Sequence, residues 1–260
     1  MKNLLFHLLI LVSHCISLAM SSKVFVVGAT GATGKHVVRM LLNEGNSVVT
    51  VVRSKDTLMG LLDDQDYGDR LEVKESAILD LTHDDLVSLT KDCFAIVSCL
   101  GHNLTFKGIW GKPRQLVTDT VKRLTKAMPE NALFLLMGSD GVAHPIDPKR
   151  TLGERIVIFL LRYLIPPHAD NEMAADYLYN DRSFNWIVVR PTDLVDEETA
   201  SKNYDIFDKS EGSLFGGPVV SRANVAHFMV ELIKDDKMRE QYKHQMPVIK
   251  HKLAPEEKEL

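Results

Sequence analysis

Short apolar runs alternate with stretches of helical spacing along most of this chain. KVFVV (Lys23–Val27) and SVVTVV (Ser47–Val52) are dense in β-branched residues, the composition of strands covered on both faces. Between them, ATGKHVVRMLLNEG puts Val37, Val38, Leu41 and Leu42 on one helical face and ends at Gly45, a stop signal. LEVKES (Leu71–Ser76) predicts a third strand, and THDDLVSL a short helix capped near Thr82. CFAIVSCL (Cys93–Leu100), ALFLLMG (Ala132–Gly138) and NWIVVRP (Asn185–Pro191) predict the fourth, fifth and sixth strands. PRQLVTDTVKRLTKAM (Pro113–Met128) opens on proline and carries apolar residues at helical intervals. Strands alternating with helices specify the α/β class, with a Rossmann-like doubly wound parallel sheet.

Two helical runs, GERIVIFLLRYL and DNEMAADYLYN, fill the interval between strands five and six. The first is apolar nearly all round, so the segment 153–165 is expected to be buried or to lie against a protein partner. The last third reads as a small C-terminal cap region and a final helix in SRANVAHFMVELIKDD. One dinucleotide-sized domain is expected over residues 20–240, with a polar tail at 241–260.

Residues 1–19, MKNLLFHLLILVSHCISLA, have one lysine, an apolar stretch from Leu4 to Val12, and Ser17 and Ala19 before a cleavage point. That is the pattern of a secretory signal, too short to remain as a membrane span, so no integral membrane segment is expected in the mature chain. The other reading is a start at Met20, which makes the protein cytoplasmic. The sequon NLT at Asn103 and the terminal EKEL lean toward the secretory pathway and the ER lumen.

Composition narrows the partners. The 260 residues are 45% hydrophobic and 25% charged, an ordinary globular balance. A net charge of −4 argues against nucleic acid, whose binding needs clustered Lys and Arg. Cys15, Cys93 and Cys99 form neither a disulfide framework nor a zinc set; no metal site is expected, and the latter two read as core residues.

The chemistry gathers at strand ends, where an open parallel sheet binds its ligands. VVGATGATGKHVV follows a predicted strand and opens a predicted helix, the context that gives a glycine-rich turn its meaning. Gly28 permits the tight turn, Gly31 lets the backbone approach a diphosphate, and Gly34 allows close helix packing. Thr30 and Thr33 add hydroxyl donors. At the end of strand two, VVRSKD offers Arg53 where an NAD site wants an acid and a 2′-phosphate wants a cation, so NADP is expected. Asp80 in ILDLTHDD either meets an adenine edge or is a cap or solvated residue. Leu100 and Gly101 in SCLGHN let a dinucleotide pass close. Ser139 in MGSDG faces the expected nicotinamide and a small-molecule substrate.

At these residues the chain resembles the atypical short-chain dehydrogenase/reductases, in the NAD(P)H-binding group that contains NmrA-like proteins and biliverdin IX-beta (flavin) reductase. The likeness runs from about Lys23 to Lys234. It is carried by GATGATG, the basic end of strand two, SCLGHNLT, MGSDG, WIVVRPTDL and VVSRANVAHFM. It implies that Gly28, Thr30, Gly31, Thr33, Gly34 and Arg53 bind NADP, that Ser139 is the active-site serine, and that Arg190 and Pro191 end a strand beside the nicotinamide. The chain departs from the family at the Tyr-x-x-x-Lys pair that many relatives use as acid and pKa-lowering partner. Counted back from Trp186, His168 and Glu172 fall near those two positions. His168 is either a proton donor or an exposed loop residue after two prolines. Biliverdin IX-beta and flavin reductases also work without the dyad. The resemblance implies an NADPH-dependent oxidoreductase acting on a flavin, quinone, tetrapyrrole, aldehyde or ketone. The alternative is a non-catalytic NADP-binding redox sensor or assembly protein.

Overall fold

A computed structural model describes residues 22–102, 105, 110–149, 151–164, 166–210 and 218–252, with the side chains at 161, 163 and 164 excluded. The leader at 1–19, the Asn103 sequon and the EKEL terminus lie outside the described residues. The strands are β1 (Lys23–Val27), β2 (Ser47–Val52), β3 (Leu71–Glu75), β4 (Ala95–Ser98), β5 (Leu133–Met137), β6 (Asn185–Pro191), β7 (Leu194–Val195), β8 (Tyr204–Phe207), β9 (Val220–Ser221) and β10 (Val248–His251). The helices are α1 (Gly34–Asn43), α2 (Lys55–Leu61), α3 (His83–Thr90), α4 (Leu116–Ala127), α5 (Leu152–Leu164), α6 (Pro166–Tyr179), α7 (Arg222–Lys234) and α8 (Asp236–Tyr242).

The main sheet runs β3-β2-β1-β4-β5-β6-β10-β8, with β7 and β9 forming a separate pair. Every pairing from β3 to β10 is parallel, and only the edge strand β8 is antiparallel. Strand order reverses between β1 and β4, so the ligand crevice of this fold class opens at their carboxyl ends.

The period of two along each strand divides the core. Val24 and Val26 of β1 join Val37, Val38 and Leu41 of α1 and Phe228 and Met229 of α7 on one face. Phe25 and Val27 join Leu86 of α3, Val121 and Leu124 of α4 and Leu178 of α6 on the other. Because both faces are covered, the inner strands are apolar at successive positions, which made them readable in the sequence.

The structure corrects the boundary at residue 240. Residues 241–260 are not simply a polar tail: Val248–His251 enter the main sheet, parallel to β6 and antiparallel to β8. Val248 and Ile249 are buried, and the Lys250 ammonium sits 4.1 Å from the centre of the Phe207 ring, a cation–π contact that tolerates a charge inside the strand.

A single buried carboxylate ties helices to the sheet. Asp170 on α6 accepts from His102 Nε2 after β4 (2.8 Å) and from the backbone N–H groups of Val117 (2.8 Å) and Thr118 (3.0 Å). It therefore closes the start of α4 from a neighbouring helix. Burial works to raise its pKa, but His102, Thr118 and Val117 outweigh this and hold the carboxyl below its ordinary value. Asp170→Ala leaves those donors unpaired in a dry site, and a loss of about 3 kcal/mol or more is expected in urea unfolding. A variant as stable as the parent contradicts this role.

Candidate functional site

Three glycines shape the turn between β1 and α1 by what a side chain would strike. Gly28 has φ +79°, and a Cβ there falls 2.5 Å from the carbonyl oxygen of Cys99 at the end of β4. A Cβ on Gly34 falls 2.0 Å from the Gly28 carbonyl oxygen, so α1 begins in direct contact with the turn. Gly31 N–H donates to that same oxygen at 2.9 Å. The turn is thus pressed into the crevice where strand order reverses.

The start of α1 is unlike most of the others. Ser54, Thr82, Ser221 and Asp235 cap α2, α3, α7 and α8 with their own side chains, Thr151 accepts from Glu154 N–H at the start of α5, and Asp170 closes α4. Thr33 stands at the N-cap of α1, buried and with no side-chain cap bond. The N–H groups of Lys35 and His36 are taken by the carbonyls of Gly31 and Thr33, at 3.0 Å each, so it is the positive end of the helix dipole that favours an anion here. Thr30 is half-buried in the same turn.

Neighbouring strand ends leave room for an extended ligand. Leu100 is half-buried, and a Cβ on Gly101 would meet nothing within 4 Å. Arg53 is exposed just beyond β2, with no carboxylate partner among the described residues. Beside it, Ser54 is occupied by the Thr57 N–H that it caps. Asp80 is exposed at the end of a 3-10 turn, and the helix cap nearby is Thr82, in a reciprocal box with Asp85. The residues present fit a dinucleotide: a glycine-rich turn, a helix start without a capping side chain, an unpaired cation and an open glycine.

Past β5, Ser139 and His168 converge on Gly141. A Cβ added to Gly141 would lie 3.3 Å from His168 Cε1 and 3.4 Å from Ser139 Oγ. Ser139 Oγ accepts the Gly141 N–H at 3.1 Å. His168 is not the exposed loop residue allowed by the sequence: it sits in the first turn of α6 with its side chain only 16% exposed. One turn on, Glu172 Oε1 stands 3.5 Å from His168 Nε2. Glu172 also takes a two-pronged bond from Arg162 of α5, at 2.6 and 3.0 Å. Burial works to raise its pKa, yet His168 and Arg162 bring the carboxyl down to about 2. The i, i+4 spacing of His168 and Glu172 was the sequence signal; Arg162 gave none. Tyr177 and Tyr179 pack instead, against Thr125 Oγ1 (3.2 Å) and the His144 ring (centroids 5.4 Å apart).

Arg190 and Pro191 stand behind the site rather than in it. The Arg190 side chain is wholly buried and forks onto Asp147 at 2.6 and 3.1 Å, with further bonds to the carbonyls of Val142 and Met246. No donor of that guanidinium faces solvent, so its expected contact with a dinucleotide is replaced by a structural one. Pro191 contributes its carbonyl, which accepts the Asp140 N–H at 2.8 Å and fixes the turn carrying Ser139.

Sheet order, glycine turn and crevice together define a dinucleotide-binding protein of the Rossmann type. The chain belongs to the NAD(P)H-binding family, which matches residues 28–236. It is similar to a candidate NADH-flavin reductase from Streptococcus pneumoniae TIGR4, with a TM-score of 0.63 at 18% identity over 89% of this chain and 100% of that one. An anaerobillin reductase from Escherichia coli O157:H7 gives 0.63 and 18% over 90% and 100%, and an oxidoreductase from Lactococcus lactis gives 0.62 and 17% over 90% and 94%. No curated protein matches. The resemblance to atypical short-chain dehydrogenase/reductases stands, and the cofactor is a nicotinamide dinucleotide. Among the described residues, no helix is long and apolar enough to cross a membrane.

Two outcomes test this geometry. A Cβ added by Gly101→Ala meets no protein atom within 4 Å, so thermal stability should hold while dinucleotide affinity falls about tenfold or more, the cost of an obstructed contact. Unchanged affinity would place the ligand elsewhere. Glu172 carries a depressed carboxyl, so its contribution is present above the unfolded value near 4.3 and is lost as pH falls toward 2. Glu172→Gln should therefore melt below the parent at pH 6, with the gap closing as pH falls through that window.

Proposed function

We propose that this chain is an NADPH-dependent reductase of a small planar or carbonyl acceptor, with His168 and Ser139 as its catalytic residues. The observation that carries the reading is their convergence at Gly141, beside the dinucleotide crevice and near the positions that relatives fill with tyrosine and lysine. A bound nicotinamide supplies a hydride; the protein orients the partners and handles the proton. The glycine turn and the positive end of α1 hold the diphosphate, with Thr30 and Thr33 beside it. Arg53 takes the 2′-phosphate through its guanidinium fork, and Asp80 borders the adenine end. Ser139 Oγ aligns the acceptor. His168 delivers the proton from Nδ1, the ring nitrogen on the Gly141 side, while the Glu172 carboxylate stands 3.5 Å from Nε2 and Arg162 fixes Glu172.

A second reading, an NADP-binding sensor without turnover, is favoured by the water-exposed apolar face of α5, where Leu152, Ile156 and Phe159 are exposed. NADPH oxidation with flavins, quinones, tetrapyrroles and aldehydes separates the two. Turnover on one of these that drops about 100-fold in His168→Gln establishes the reductase and its acid. Tight NADPH binding with no turnover on any acceptor establishes the sensor. In either case Arg53→Ala should weaken NADPH by about tenfold or more while leaving NADH nearly unchanged, as expected for one lost charge-assisted contact. Equal losses for both dinucleotides would remove Arg53 from the 2′-phosphate.

A further inference from the structure

A cleft of about 780 Å³ lies between α5 and the loop 143–149. Its walls are largely apolar, and three of the residues on them, Leu152, Ile156 and Phe159, follow one stripe of the helix at i, i+4 and i+7. They are 72%, 53% and 54% exposed, an unusual cost to leave in water unless something covers them. The volume is that of a small-molecule site.

The charges in the cleft are unevenly paired. Asp147 is taken by Arg190, and Glu172 by Arg162. Lys149 and Arg155 also line it, and neither has a carboxylate partner among the described residues. The cleft therefore offers apolar walls with two unspent cations. Its Glu172 wall reaches within 3.5 Å of His168 Nε2, which joins it to the proton-handling pair.

We propose that this cleft binds the acceptor, and that the acceptor is an apolar, ring-sized molecule carrying a carboxylate or a similar acid. The apolar body lies on Ile156 and Phe159, and the acid meets Lys149 and Arg155. A neutral acceptor of the same shape forgoes both charge-assisted bonds. Naming the ligand an acceptor rests on the reductase reading; the binding chemistry does not.

The test titrates the full chain with naphthoate and with naphthamide, one ring system with and without charge, by calorimetry. Binding of naphthoate at one saturable site, about tenfold or more tighter than the amide, is expected from one charge-assisted contact. The doubly reversed Lys149→Glu/Arg155→Glu variant should lose that preference and keep its melting temperature and NADPH affinity, because both side chains lie outside the dinucleotide crevice. Equal affinity for acid and amide, or no saturable binding, overturns the proposal. So does sedimentation with phosphatidylglycerol vesicles, abolished by the double reversal, in a protein that ignores naphthoate, because the patch then serves a membrane surface. Naphthoate preference without NADPH binding keeps the cleft and sinks the reductase. NADPH turnover without naphthoate binding does the reverse.

Discussion

Arg190 carries a charge into a place that solvent does not reach, and the half of the molecule that holds Ser139 is arranged around satisfying it. Its guanidinium meets both Asp147 oxygens and two carbonyls, while Asp147 also accepts the N–H groups of His144 and Ser210. Burial pushes the Asp147 carboxyl up, and the Arg190 fork with the Ser210 and His144 bonds pulls it below its usual value. These contacts join β6, the run into β10, residue 210 and the loop after β5. That loop has no regular structure of its own, yet it carries Ser139. Its geometry is inherited from β6 through one ion pair and from Pro191 through one backbone bond. Such a pair adds little net stability over a well-packed apolar substitute, but losing one partner strands the other as a buried charge. Its worth lies in fixing a loop that packing alone leaves loose.

The cofactor half depends on close approach instead of charge. Gly28 lies against Cys99 and Gly34 against Gly28, so β1, β4 and α1 meet with no side chain between them. The first turn of α1 has no capping side chain, and its Lys35 and His36 N–H groups are closed by the carbonyls of Gly31 and Thr33, so the turn and the helix start form one backbone unit at the β1/β4 crevice.

What the sequence disclosed follows from what each residue's neighbours are. β1, β2 and β6 were legible to the residue because strands covered on both faces carry long runs of apolar, β-branched residues. The glycine turn was legible because its causes are local. β10 was not: Val248 and Ile249 are its only strongly apolar residues, and Lys250 is admitted by a ring on β8 that no short window reveals. Arg190 was misplaced for a related reason. Trp186 and Val188 point to the α4–α6 face, and the alternation puts Arg190 on that side, but its partner lies 43 residues earlier. His168 was obscured by Pro166 and Pro167, which read as breakers yet occupy the first turn of α6, where a missing N–H costs nothing.

The departure from the family's tyrosine and lysine and the presence of α5 belong to one arrangement. A histidine near the tyrosine position needs its ring held, and the residue one turn later is Glu172 in place of a lysine. A carboxylate half hidden in that spot needs a cation, because a lone buried charge is far costlier than a paired one. Arg162 supplies it from α5, the helix whose apolar face remains in water. The helix that looked like a partner surface in the sequence is therefore joined to Glu172, one turn from His168, through two hydrogen bonds. Anything that settles on its exposed stripe also bears on the Arg162–Glu172–His168 chain. The exposed stripe of α5 and the His168 ring beside Gly141 are consequently linked through Arg162 and Glu172, without any motion of the sheet between them.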